Sequence, residues 1–112
     1  MEISVIEECI VKIKLPEEVE LSNSQDIKRK VYENSFEKGY KKVLLDFSKT
    51  KYIDSTGLGI IVAMHKQSLM NAGTTAIINL DDNLKGLFKM TALDRIFNIF
   101  EDEKSAVEFL KS

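Results

Sequence analysis

The chain reads as an α/β domain, a mixed sheet of about four or five strands packed with about four helices. Three observations predict this. Strand-like and helix-like segments alternate along most of the sequence, which argues for parallel strands joined by crossover helices. "KKVLLDF" (residues 41–47) is short and nearly continuously apolar, as a central strand covered on both faces is. "ISVIEECIVKIKL" (residues 3–15) carries two apolar runs around Glu7-Glu8, with alternation at Ile10, Lys12 and Lys14. That pattern predicts a hairpin, and it makes the sheet mixed.

The remaining elements follow in order. Pro16 ends the hairpin. In "SNSQDIKRKVYENSFEKG", Ser22 stands three residues before Gln25 as a capping pair, Ile27 and Val31 are spaced i, i+4, and Gly39 supplies a stop. This is a helix. After the central strand and a motif treated below, a second helix runs to about Asn71, where "NAG" ends it with Gly73 as the expected left-handed cap. "TTAIINL" is a strand, Asp81 or Asp82 caps a helix carrying Leu84, Leu87 and Phe88, "IFNIF" is a further strand, and "EKSAVEFLKS" closes as a helix with Val107 and Leu110 on one side. No repeat, low-complexity segment or linker interrupts residues 1–112, which are read as one domain.

Composition narrows the function classes. The chain has 112 residues, enough for one core, and should bury about two-thirds of its unfolded surface. Its 16 basic and 18 acidic residues leave a net charge of -2, so there is no global positive field to draw nucleic acid. No apolar run approaches the length of about 18 residues needed to cross a bilayer, and the expected setting is soluble and cytoplasmic, with no membrane partner. Cys9 is the single cysteine; it supplies neither an internal disulfide nor a metal cluster and is expected to be a small buried apolar side chain in a reducing compartment. No metal or cofactor is expected.

The motif is "YIDSTGLGIIVAMHK", residues 52–66. A phosphate-cradling loop is one reading, but neither GxxxxGK nor GxGxxG is completed: Gly57 and Gly59 are followed by Val62 at the third position. A nucleophilic Ser55 is a second reading, with His65, the only histidine, as its base. On one helix the ten residues between them correspond to about 15 Å and about 280° of rotation, beyond hydrogen-bond reach. His65 instead joins the stripe Leu58, Ile61, Val62, His65 and Leu69, expected to face the core. A third reading is a modified hydroxyl. No carboxylate occurs between Ser55 and Leu80, and a helix N-terminus suits a phosphoryl group of about -1.5 to -2 charge. A plain strand-to-helix turn also fits, since Asp54, Ser55 and Thr56 are all good N-caps. Thr56, Ile60, Met64 and Gln67 form a second line on the helix, and Ile60 and Met64 are expected to stand exposed as partner anchors.

"YIDSTGLGIIVAMHKQSLMNAG", preceded by "KKVLLDFSKTK", resembles the signature of the STAS domain, and in particular of bacterial anti-sigma factor antagonists. "LPEEVELSNSQDIKRKV" and "LKGLFKMTALDRIFNIFEDEKSAVEFL" are similar to other stretches of that family, so the resemblance spans almost the whole chain. It implies a non-enzymatic regulator. The unphosphorylated form would bind an anti-sigma factor that is also a serine/threonine kinase and so release the sigma factor. Phosphorylation of Ser55, or secondarily Thr56, would switch it off, and a PP2C-type phosphatase would restore it. The partner-binding residues implied by the resemblance and the helix pattern are Glu20, Asp54, Ser55, Thr56, Gly57, Leu58, Ile60 and Met64. Two positions depart from the family. Its usual Gly and Leu-Asp or Ile-Asp pair read Glu17 and Val19-Glu20, in a loop expected near Ser55, and its usual Gly before the last strand reads Ala92. The runner-up reading is a STAS module binding a nucleotide or small anion, and a Ser55 hydrolase ranks third.

Overall fold

The computed structural model describes all of residues 1–112. Its strands are β1 (Glu2–Ile6), β2 (Ile10–Lys14), β3 (Glu18–Val19), β4 (Lys42–Asp46), β5 (Tyr52–Ile53), β6 (Thr74–Ile78) and β7 (Asn98–Phe100); its helices are α1 (Ser24–Asn34), α2 (Ser55–Met70), α3 (Asp82–Met90) and α4 (Glu103–Lys111). The main sheet has the order β1-β2-β4-β6-β7, with β1 antiparallel to β2 and every other pair parallel. The mixed α/β architecture expected from the sequence is therefore present, and β4 is central. A separate two-stranded parallel sheet pairs β3 with β5.

Alternation along the strands sends side chains into two cores. Val11, Ile13, Val43, Leu45 and Ile77 point to the side covered by α1, α2 and α3, where Val31, Ile61, Met64 and Phe88 are fully buried. Ile10, Leu44, Ala76 and Ile78 point to the other side, which Ala106 and Leu110 of α4 cover. A strand with both faces covered gains nothing from polar alternation, which is why β4 reads as a continuous apolar run.

Local details refine several expectations. Cys9 is exposed, not buried, because it belongs to the tip of the β1–β2 hairpin, where Glu7 and Glu8 take left-handed conformations and no layer faces the turn. Ser22 does not form the expected capping pair for α1. The N-cap is Asn23, whose Oδ1 turns back to accept from the Glu20 amide at 2.9 Å, while the Ser22 hydroxyl donates to Glu20 Oε1 at 2.7 Å. These bonds build a compact 18–24 loop instead of a helix cap. α1 ends earlier than expected, with Ser35 as its C-cap; Gly39, left-handed at φ 85°, closes the short 3-10 turn Phe36–Lys38 that follows.

At the end of α2 the left-handed residue is Ala72, not Gly73. Gly73 is required for a different reason: a Cβ there would lie 2.0 Å from the Lys41 carbonyl oxygen. Ala92 is also left-handed, at φ 60°. A Cβ in that region costs about 1 kcal/mol. Ala92→Gly is therefore expected to raise stability by about 0.5–1 kcal/mol, even after the added unfolded-state freedom of glycine. An unchanged or lower urea midpoint would contradict it.

Candidate partner-binding site at the start of α2

The site is assembled where β5 runs into α2. Val19 pairs with Ile53, and the Asp54 amide donates to the Val19 carbonyl at 3.2 Å. Asp54, its backbone still extended, caps α2: its Oδ1 accepts from the Gly57 amide at 2.8 Å. Its other oxygen accepts from the Leu21 amide at 3.0 Å, across 33 residues of sequence. Bonding to the Gly57 amide first, and also to Leu21, holds the Asp54 carboxyl below its usual range. Of the three candidate caps, Asp54 is the one used. It also ties the 18–24 loop to the helix.

Gly57 permits this junction. A Cβ on it would meet the Val19 carbonyl oxygen at 2.1 Å and Ile53 Cγ2 at 3.0 Å. No such constraint acts on Gly59, where a Cβ would have nothing within 4 Å. The two glycines of the motif thus differ in role: one lets backbone meet backbone, the other faces outward.

Ser55 is exposed at the first position of α2, and its hydroxyl makes no hydrogen bond within the chain. Thr56 and Leu58 are half-buried beside it, and Glu20 is half-buried in the loop held by Asp54. Ile60 and Met64, expected as exposed anchors, are instead 5% and 0% exposed and belong to the core. The buried face of α2 runs through Gly57, Ile60, Ile61, Met64, His65 and Ser68, while Leu69 is exposed and Leu58 and Val62 are half-exposed. Relative to the expected stripe the helix is rolled by about one residue, or about 100°. Close approach at Gly57 and the bond from Ser68 Oγ to the Lys41 carbonyl, 2.9 Å, fix that roll.

Two exposed apolar side chains at this end did not figure in the sequence reading. Leu21 is 72% exposed and Tyr52 is 53% exposed. Tyr52 carried a usable signal, since strand alternation places it opposite buried Ile53. Leu21 had none, because its position depends on the long-range bond to Asp54. The fold also brings Glu17, Glu18 and Glu20 to the site from far away in sequence. Neither they nor Asp54 form an ion pair. The neighbouring Glu20 carboxylate raises the Glu18 carboxyl above its usual range. The carboxylate-free stretch after Ser55 therefore does not make the site free of negative charge.

His65 is packed in the core, as its place in the apolar stripe predicts. It is buried, its Nδ1 shares a hydrogen bond with Thr75 Oγ1, and its ring lies 4.8 Å from that of Phe97. It is thereby engaged on the core side of α2, whereas Ser55 faces outward. Burial pushes its pKa below the usual value. Because the unfolded chain then takes up the proton first, stability is expected to be flat above about pH 6.5 and to fall as pH drops below it. Urea midpoints between about pH 7.5 and 5.5 check this, since His65→Gln should lose that part of the slope. An unaltered slope would refute it.

No group of three or more His, Cys, Asp or Glu side chains converges in a way that could hold a metal ion, and no helix is long and apolar enough to cross a membrane. Comparison with known proteins agrees with the geometry. The STAS domain family model matches residues 1–106. A Thermotoga neapolitana protein, provisionally described as an anti-sigma factor antagonist homolog, is 31% identical over 103 residues, which cover 92% of this chain and 91% of that one. The crystal structure of a Thermotoga maritima protein with a similar provisional description aligns at a TM-score of 0.91 and 26% identity, covering 99% of this chain and 94% of that one. The Bacillus anti-sigma factor antagonist SpoIIAA shares the fold in its unphosphorylated form (TM-score 0.76, 16% identity, 99% and 97% coverage) and its phosphorylated form (0.73, 19%, 96% and 96%). The sheet order, the capped Asp54-Ser55 junction and these relatives all point one way, and the chain belongs to the STAS-domain family of anti-sigma factor antagonists.

Proposed function

We propose that this chain is a partner-switching protein controlled at Ser55. Unphosphorylated, it binds an anti-sigma factor that is also a serine/threonine kinase, which frees the sigma factor; phosphorylation of Ser55 ends the contact, and a PP2C-type phosphatase restores it. The observation that carries this reading is the Ser55 hydroxyl itself, exposed and unbonded at the start of α2 beside the exposed Leu21 and Tyr52. Thr56, half-buried, is the less accessible acceptor. The contact face comprises Glu20, Asp54, Ser55, Thr56, Gly57 and Leu58 with Leu21 and Tyr52 added, and without Ile60 and Met64. Bacillus SpoIIAA, which shares the fold, has been solved both with and without phosphate.

A phosphoryl group on Ser55 would enter a surface that already holds four unpaired carboxylates, so it has strong reason to stay hydrated. Covering it with a partner costs on the order of 3 kcal/mol in desolvation and repulsion, about a hundredfold in affinity. Partner exchange then needs no change of fold. The reading in which this helix start holds a nucleotide or small anion has less support, because the Asp54 carboxylate already occupies the Gly57 amide. The test is binding and phosphorylation by the kinase pulled down from the native cytoplasm. Ser55→Ala is expected to keep capture and block phosphorylation, and Ser55→Asp or Ser55→Glu to weaken capture by up to about a hundredfold. Equal affinity for all three would sink the proposal.

A further inference from the structure

The corner formed by α3, the turn after it and the edge strand β7 carries a second surface. A groove of about 410 Å³ runs there, floored by Leu80, Phe88, Phe97 and Ile99. Beside it the chain projects two large apolar side chains, Met90 at 83% and Ile96 at 52% exposure. The turn that presents them is held firmly: the Thr91 hydroxyl donates to the Leu87 carbonyl at 2.8 Å, and Ala92 is kept left-handed. Exposed apolar groups on a pre-ordered turn lose little entropy on docking.

The charges around the groove indicate what covers it. Lys85 and Glu101 pair across the rim at 3.1 Å, while Lys89 and Asp94, which also line it, have no ion-pair partner in the chain. Two cations and two anions make a rim without net charge. A rim with one free cation, Lys89, and one free anion, Asp94, allows each to face the other's counterpart across a two-fold axis, the self-complementarity that an isologous contact requires. The Ser55 end behaves oppositely, since its unpaired carboxylates repel their own copy. We propose that the α3–β7 corner is the docking surface for a second copy of this chain, with Met90 and Ile96 of each copy seated in the groove of the other. The patch is small, so the dimer is weak and concentration-dependent. The groove and the side chains Met90 and Ile96 share no residue with the contact face proposed at Ser55.

Sedimentation equilibrium of the full chain from about 10 μM to about 1 mM tests this, a range that spans weak association. The mass is expected to rise from 12.8 kDa toward twice that value. Met90→Asp combined with Ile96→Asp should weaken association at least about tenfold. Lys89→Asp should also weaken it, and adding Asp94→Lys should restore it. Leu69→Asp, at the exposed end of α2, should leave association unchanged. A monomer throughout the range, which would assign the groove to a different partner, overturns the proposal. So does a dimer that survives Met90→Asp with Ile96→Asp, a Lys89–Asp94 exchange that fails to restore association, or dissociation by Leu69→Asp. Since the charge exchange touches only exposed side chains, it decides the matter even if the apolar variants fold poorly.

Discussion

Gly57→Ala is expected to destabilise the fold by about 3 kcal/mol or more, whereas Gly59→Ala, two residues later, should stabilise it by about 0.5–1 kcal/mol. The contrast follows from what each Cβ would meet. At Gly57 the nearest atoms are backbone, the Val19 carbonyl oxygen at 2.1 Å and its carbon at 2.8 Å, and backbone cannot rotate aside as a side chain can. Either β3 separates from β5 or the first turn of α2 lifts away. In both cases the bonds from the Leu21 and Gly57 amides to Asp54 lengthen. Partner capture should therefore fall along with stability, even though Ser55 is untouched. At Gly59 the space is open, and alanine removes only the helix penalty of glycine. Urea denaturation of the two variants measures this. Equal midpoints would show that close approach at Gly57 is not needed.

The second large effect is expected at Asp46, the last residue of β4 and buried at 3% exposure. Its Oδ1 accepts from Asn79 Nδ2 at 3.0 Å and from the Ser48 amide at 2.9 Å, and Lys12 Nζ lies 3.9 Å from Oδ2. One carboxylate thus joins β2, β4 and the residue following β6. Burial pushes its pKa up, but the bonds from Asn79 and Ser48 and the charge of Lys12 outweigh that, and the carboxyl is held below its usual value. Asp46→Ala is expected to cost about 3 kcal/mol, because it strands the amide groups of Asn79 and Ser48 without an acceptor. Asp46→Asn should cost less. The sign of the pH effect follows from the depressed pKa: the stabilisation is complete above the unfolded value of about 3.9 and is lost as pH falls below it. Calorimetry from about pH 6 down to about pH 3 should find a steeper loss in wild type than in Asp46→Asn. Parallel curves would count against the linkage.

Much of the architecture could be read from local pattern. The hairpin around Glu7-Glu8, the apolar β4, the helix starts at Asp54 and Asp81, and the left-handed turn at Gly39 all express preferences that act over a few residues. The site was legible in part. "DSTGLG" carries its cap and its exposed hydroxyl within a few consecutive residues, so the helix start could be read locally. Glu20 was reached only through the family resemblance, and Leu21 and Glu18 were out of reach, since the bond to Asp54 and the pairing of β3 with β5 bring them there.

By itself the sequence determined the class of fold, the order of its elements and the position of Ser55 at a helix start, because each rests on short-range chemistry. Tertiary structure alone decided how α2 is rolled. With Leu58, Ile60, Ile61, Val62, Met64 and Leu69 the helix is apolar on most sides, and periodicity cannot choose among them. The choice falls to the small residues Gly57 and Ser68, which let the helix meet the backbone at Val19 and Lys41 and so bury Ile60 and Met64. That roll leaves Leu21 and Tyr52, rather than the two side chains expected from the pattern, as the exposed apolar groups near Ser55.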